Sequence, residues 1–232
     1  MPDTSIAATP KGARTRRQII EAAKKLFHQS GYTRTSVKDI CAESRVKAGT
    51  LTYYFRTKYD LVREMYEEVF SKSYEFVESR LDREVNSLEK NAIVAFVYFQ
   101  ALCADENTRR FHLEILEQGS VGDYIARIAF PVARQYIKDF KLGFTDRELN
   151  DINMADNGVS RELFTVFLKN PRGRSVQDMV NTIYIFRARL FTVDENVMKV
   201  YLYNGMEFSR TFDHSHITLL GVNGDSAENL MT

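Results

Sequence analysis

The sequence predicts an all-α chain, with three short N-terminal helices followed by a larger α-helical body. Three observations carry this. Apolar residues recur at three- and four-residue spacing through most of the chain, and no segment alternates apolar with polar residues between turn pairs. Helix-start signals follow one another closely in the first sixty residues. The charge divides at the same boundary. Residues 1–60 carry 12 Lys or Arg against 5 Asp or Glu, a net of +7, and the remainder carries a net of −6.

Taken in order, residues 1–13 are rich in Pro, Ala, Thr and Gly and read as a flexible arm. Thr15 and Gln18 have capping-box spacing, so the first helix is expected to start there and to carry Ile19, Ile20, Ala23, Leu26 and Phe27 on its inner face. Gly31 supplies its left-handed stop. Ser36 and Asp39 open a second helix with Val37, Ile40 and Cys41 inward, ending near Ser44. A third, short helix runs from about Lys47 to Tyr54, anchored by Leu51 and Phe55. Thr57 and Asp60 cap a long fourth helix through Leu61, Met65 and Val69. Three short helices bury too little surface to stand alone, so the fourth must tie them to the body. The expected units are therefore 1–13, 14–60, 61–214 and a flexible tail at 215–232.

Of the 28 Phe and Tyr residues, 22 follow residue 60, which places the main core in the body. Residues 91–104 (NAIVAFVYFQALCA) are apolar nearly all round and predict a buried central helix. Gly119, Gly122, Pro131, Gly143 and Pro171 mark connections or kinks. The last two long helices are expected at Arg174–Phe191 and Asp194–Phe212.

Several function classes find no support. No apolar run approaches the roughly 18 residues that span a bilayer, so no membrane partner is expected. The first ten residues lack a basic region followed by an apolar stretch, so a secretory signal is not expected and a cytoplasmic location is. Cys41 and Cys103 fit no metal or redox spacing and read as reduced thiols among apolar neighbours. His112 with Glu114 and Glu117 has no third ligand, and His214 with His216 sits near a polar tail, so no metal or other cofactor is expected. Phosphate-binding glycine loops and nucleophile-elbow motifs are absent, so no catalytic residues are assigned and an enzyme is not expected.

Helices two and three form a helix-turn-helix arrangement, in which the second helix of the pair enters the major groove of DNA. The stretch Thr15–Glu67 resembles the DNA-binding domain of the tetracycline-repressor (TetR) family. The resemblance lies in I-x-x-A-x-x-L-F-x-x-x-G-Y at Ile20–Tyr32, T-S-V-x-x-I at Thr35–Ile40, V-x-x-G-T-L at Val46–Leu51 and Y-F-x-x-K-x-x-L at Tyr54–Leu61. It implies that Thr35 and Ser36 touch phosphate. It also puts Lys47, Ala48, Gly49 and Thr52 towards the groove, and has Thr50, Tyr53 and Lys58 hold the DNA backbone. Tyr54 either packs or touches DNA. Lys11, Arg14, Arg16 and Arg17 either reach neighbouring phosphates or form a solvated charge run. The sequence departs from the family pattern at Arg45 (often Gly), Lys47 (usually a small polar cap) and Thr52 (often Tyr). The first bears on the turn, and the other two on which operator is read.

The same resemblance implies a homodimer on a pseudo-palindromic double-stranded operator, with the last long helices packing on a twin. It implies a regulator, usually a repressor, whose body takes up a small apolar or aromatic effector. The candidate pocket lining is Phe96, Phe99, Cys103 and Phe111, together with Ile115, Tyr124, Phe164, Phe167 and Tyr184. Arg127, Arg187 and Glu114 are candidates to orient a polar end of the ligand. The competing reading for each aromatic is plain core. The competing function is a DNA-binding protein governed by a protein partner, or one with no effector.

Overall fold

The computed structural model describes residues 9–119, 132–170 and 173–221. All regular structure among them is helical. The helices are α1 (Pro10–Arg34), α2 (Val37–Ser44), α3 (Ala48–Tyr54), α4 (Lys58–Glu78), α5 (Ser87–Leu102), α6 (Glu106–Glu117), α7 (132–140), α8 (Asp146–Lys169), α9 (Val176–Leu190) and α10 (Glu195–Thr211).

Side-chain caps set most of the starts. Ser36, Thr57, Thr145 and Ser175 each form a reciprocal box with an acidic residue three positions on. Each box satisfies two backbone donors that the first turn would leave open. The expected box at Thr15 does not form. α1 is capped six residues earlier, where the Thr9 hydroxyl accepts from the Gly12 N–H at 3.1 Å and Pro10 occupies the first turn. Thr15 is then inside the helix and donates to the Lys11 carbonyl. A proline fits the first turn because its missing N–H has no helical partner there, and this signal outweighs the later box. Residues 10–13 of the expected arm are therefore helical.

Gly31 (φ +81, ψ 170) breaks the helical path of α1 in an extended conformation rather than the expected left-handed one, and it kinks the helix instead of stopping it, since a further turn runs to Arg34. In α2, Ile40 is fully buried, but Val37 is exposed and Cys41 half-buried, so the inner face is narrower than the sequence suggests.

α5 is the centre of the body. Leu88 and residues 92–97 are all buried. Its closest partner is α10, where Gly205 faces Phe96. A Cβ at Gly205 would lie 2.6 Å from the Phe96 ring, so only a hydrogen there lets the two helices approach this closely. After α10 the chain does not leave the surface as a free tail up to residue 221. Ile217, Leu219 and Leu220 are buried, and the Leu219 N–H donates to the Ala101 carbonyl. The turn residues around 213–216 conceal this short apolar run in the sequence.

Candidate functional site

The short helix α3 sits on a firmly built base. The turn before it is closed by Arg45, which adopts a left-handed conformation (φ 54, ψ 33), and the Val46 N–H donates to the Cys41 carbonyl at 3.1 Å. The side-chain amide of Gln18 on α1 donates to the Ser44 carbonyl at 2.7 Å, holding the end of α2. Leu51 and Phe55 are buried on the inner face, and Val46 and Tyr54 pack partly against the core.

The opposite face of α3 is open. Lys47, Ala48, Gly49, Thr52 and Tyr53 are exposed, and Thr50 is half-buried. Among the described residues no atom lies within 4 Å of where a Cβ on Gly49 would stand, so none of them demands a glycine there. Tyr53 packs edge-on against Tyr54, with ring centres 5.1 Å apart. Ser36 is exposed, but its hydroxyl already accepts from the Asp39 N–H at 3.2 Å. The Asp39 carboxylate in turn accepts from the Ser36 hydroxyl at 2.6 Å and from the Ser36 N–H at 2.8 Å, and these two bonds hold it below the usual carboxylate range.

Two residues assigned to the DNA backbone point elsewhere. Thr35 is buried, and its hydroxyl donates to the Gly31 carbonyl at 2.7 Å. The Lys58 ammonium donates to the carbonyls of Tyr32 (2.7 Å) and Thr35 (2.8 Å) and lies 3.8 Å from the centre of the Tyr32 ring. Burial lowers its pKa, and the Glu114 carboxylate partly restores it. Lys58 thus closes the carbonyl-rich end of α1, as a cation placed at a helix C-terminus does.

The exposed cations of the head are divided in the same way. Arg16 pairs with Glu64, and Lys25 with Glu43 at 2.5 Å. Lys11, Arg14, Arg17, Lys38, Arg45, Lys47 and Arg56 are exposed and make no ion pair among the described residues. Lys38, Arg45 and Arg56 were not assigned from the sequence. Arg45 and Arg56 flank α3 along the chain, and that closeness was the available signal, while Lys38 lies in the first turn of α2.

α6 joins head to body. Arg110 donates to the carbonyls of His28 (2.8 Å) and Gln29 (3.3 Å), Phe111 stacks on Phe27 at 5.1 Å, and Glu114 accepts from the Thr33 N–H at 2.7 Å. A Cβ at Gly31 would fall on the Glu114 carboxylate, so this glycine serves both the turn and the joint. His28 meets Asp105 at 3.1 Å across the same junction.

Behind α6 the body encloses a cavity of about 140 Å³. Of the candidate lining residues, Phe99, Phe164 and Tyr184 stand at its wall. Phe96 instead packs on α10, Phe111 on the head, and Cys103, Ile115 and Phe167 lie in the surrounding core. Tyr124 and Arg127 lie outside the described residues. Of the other two polar candidates, Arg187 lines the cavity and Glu114 belongs to the joint.

The cavity wall is more polar than its aromatic sequence suggests. Arg187 donates to both Asp156 carboxylate oxygens from one guanidinium edge, through Nε (3.1 Å) and Nη2 (2.9 Å), and its Nη1 reaches the Asn91 side-chain oxygen at 3.2 Å. The Tyr184 and Tyr136 hydroxyls donate to that same oxygen at 2.6 and 2.7 Å. Burial pushes the Tyr184 hydroxyl up to about 12 and lowers the His112 imidazole to about 3, so both are uncharged at neutral pH. His112 Nδ1 bonds the Tyr66 hydroxyl, while His112 Nε2 and the Ser160 hydroxyl are buried with no partner among the described residues. Asn153, Asp156, Asn157 and Ser160 all line this wall. Their spacing of three, one and three is a polar stripe on the inner side of α8, a signal legible in the sequence beside the aromatics.

Comparison with known proteins agrees with this geometry. Residues 19–65 match the family model of bacterial regulatory proteins, tetR family. The fatty acid metabolism regulator protein of Bacillus subtilis is 30% identical over 90 residues, 39% of this chain and 46% of that protein. The HTH-type transcriptional regulator TtgR of Pseudomonas putida is 32% identical over 103 residues, 44% and 49% of the two chains. The chain thus spans about half the length of these relatives. Among solved structures, RolR in complex with resorcinol superposes with a TM-score of 0.60 at 16% identity, covering 83% of this chain and 94% of that one. Thermus thermophilus FadR in complex with lauroyl-CoA gives 0.55 at 17%, covering 76% and 93%. These two likenesses extend the shared fold through the body. The head of the chain is thus similar in sequence to bacterial regulatory proteins of the tetR family, and its helical architecture is similar in fold to these two solved structures.

Proposed function

We propose that the chain is a DNA-binding transcriptional regulator that acts as a homodimer on a pseudo-palindromic operator and is released from it by a small molecule. The observation that carries the DNA reading is α3: one face buried by Leu51 and Phe55, the other open and free of internal contacts around Gly49. A helix held in this way can enter a major groove and offer Lys47, Ala48, Gly49 and Thr52 to base edges. Tyr53 and Ser36 stand where they can meet phosphates, along with the unpaired cations around α3. Repression is the simplest mode, because occupying a promoter needs no further contact surface.

A second copy is supported by the outer face of α9 and α10. Phe186, Val197, Val200 and Tyr203 are all exposed there, Val200 by 56% and Tyr203 by 59%. Isolated exposed apolar residues are ordinary, but a stripe at helical spacing is what a symmetric partner would cover.

The cavity favours a small-molecule effector over control by a protein partner alone. A closed core would leave nothing to sense. α6 carries His112 at the cavity and Arg110, Phe111 and Glu114 at the head. A ligand that binds one arrangement of α6 better than another biases the head through these contacts.

Selection of bound sites from random duplex DNA tests the reading. The expected result is an enriched two-fold-symmetric site bound by a dimer. A protein that enriches no duplex at low ionic strength refutes the DNA reading.

A further inference from the structure

We propose that the ligand of the body cavity is an uncharged, single-ring phenol whose hydroxyl bonds to His112 Nε2 and the Ser160 hydroxyl. This rests on the effector reading above and names its chemical class.

Size comes first. The cavity volume of about 140 Å³ is close to the ~150 Å³ of an engineered apolar cavity that takes up benzene. One aromatic ring fits such a space. The walls suit it, since Phe99 and Phe164 meet edge-to-face at 5.2 Å and His112 lies 4.5 Å from the Phe164 ring.

Polarity comes second. Buried polar atoms nearly always find a partner. Two atoms on this wall have none among the described residues, His112 Nε2 on α6 and Ser160 Oγ on α8. They come from different helices, so neither is a by-product of one local turn. The serine hydroxyl both donates and accepts. The imidazole nitrogen does one or the other, according to its tautomer. A ligand hydroxyl matches either case, because it too donates and accepts.

Charge comes third. The cavity's buried cation, Arg187, is already neutralised by Asp156 through three contacts of 3.2 Å or less. Arg161, the other cation of the lining, is exposed to water. A carboxylate ligand would enter without an unpaired positive partner, and an ammonium would find Asp156 equally occupied. Burying either would carry a large desolvation cost. Burial also holds His112 neutral, so it offers a hydrogen bond and no charge.

Calorimetric titration of the full chain at neutral pH, with release of the selected duplex followed by gel shift, tests this. The probes are phenol, 4-methylphenol, toluene, benzoate and dodecanoyl-CoA. Phenol and 4-methylphenol should bind at least tenfold more tightly than toluene or benzoate and should release the duplex. One hydrogen bond corresponds to roughly 3–10-fold in affinity, so Ser160→Ala and His112→Phe should each narrow the phenol-to-toluene ratio by about that factor. Ser160 lies on the partly exposed flank of α8, so its variant decides the matter even if His112→Phe fails to fold. Equal or tighter binding of toluene or benzoate overturns the proposal, as does an unchanged ratio in Ser160→Ala. Binding of dodecanoyl-CoA with no binding of phenols overturns it while leaving the effector reading in place. Failure of every probe to bind overturns the phenol assignment. Phenol binding without release of DNA upholds the ligand class and refutes the coupling to the head.

Discussion

Replacing Lys58 by methionine separates two roles that the sequence alone cannot distinguish. Methionine keeps the length and apolar stem and removes the ammonium. In the structure that ammonium makes two short hydrogen bonds, at 2.7 and 2.8 Å, to the carbonyls of Tyr32 and Thr35. It also sits 3.8 Å over the Tyr32 ring. A hydrogen bond to a charged group contributes about 1.5–3 kcal/mol, less where water reaches the group, and the half-buried position calls for such a discount. The ring interaction adds about 0.5–1 kcal/mol. The two bonds and the ring interaction together give an expected loss of about 2–4 kcal/mol. Urea unfolding should show it as a lower midpoint with an unchanged m-value. Binding to duplex DNA, measured at several salt concentrations where the variant remains folded, should keep its slope. If Lys58 instead held one phosphate in each protomer, its removal would lower the slope of log K against log salt by about 1.8, at roughly 0.9 per phosphate. An unchanged unfolding midpoint with a reduced salt slope would refute the internal role and restore Lys58 to the DNA backbone.

Four further outcomes are expected. Gly49→Ala should leave stability unchanged or raise it by up to about 1 kcal/mol, since alanine is the better helix former and nothing crowds the site. It should weaken binding to the selected operator, and equal operator affinity would count against groove contact. Gly205→Ala should destabilise by about 1–3 kcal/mol through overpacking against Phe96, read by thermal unfolding; a neutral effect would mean that α5 and α10 separate easily. Asp156→Asn should cost about 3–5 kcal/mol by leaving the Arg187 charge buried and unbalanced, and a loss under about 1 kcal/mol would mean that water reaches the pair. The fourth concerns His112, whose folded pKa of about 3 lies below the unfolded value of 6.5. Its contribution is fully present above pH 6.5 and is lost as pH falls towards 3, at about 1.4 kcal/mol per unit, because the unfolded chain binds a proton that the folded one excludes. His112→Phe should therefore flatten the acid side of the stability profile, and an unchanged profile would contradict the buried neutral imidazole.

The sequence alone determined the all-helical class, the positions of α2 to α4, the buried apolar stretch of α5 and the last two helices. These depend on local rules. A serine or threonine three residues before an acid closes a helix end whatever packs around it, and a 3.6-residue apolar period fixes which side turns in. Leu51 and Phe55 were legible as core for that reason, whereas the outward placement of Lys47 and Gly49 was implied by the resemblance of their motif to a known family. Only the tertiary structure decided what the long polar side chains do. Lys58, Thr35 and Arg16 look like free donors in sequence, but their partners are carbonyls or a carboxylate brought close by the fold, 48 residues away for Arg16 and Glu64. The cavity has the same origin. Phe96 and Phe99 lie three residues apart on one helix, yet only Phe99 reaches the cavity, because Gly205 draws α10 against the other side. Periodicity specifies a buried face. It does not specify which neighbour covers that face or where the packing leaves room, since both depend on the meeting of side chains far apart in the chain.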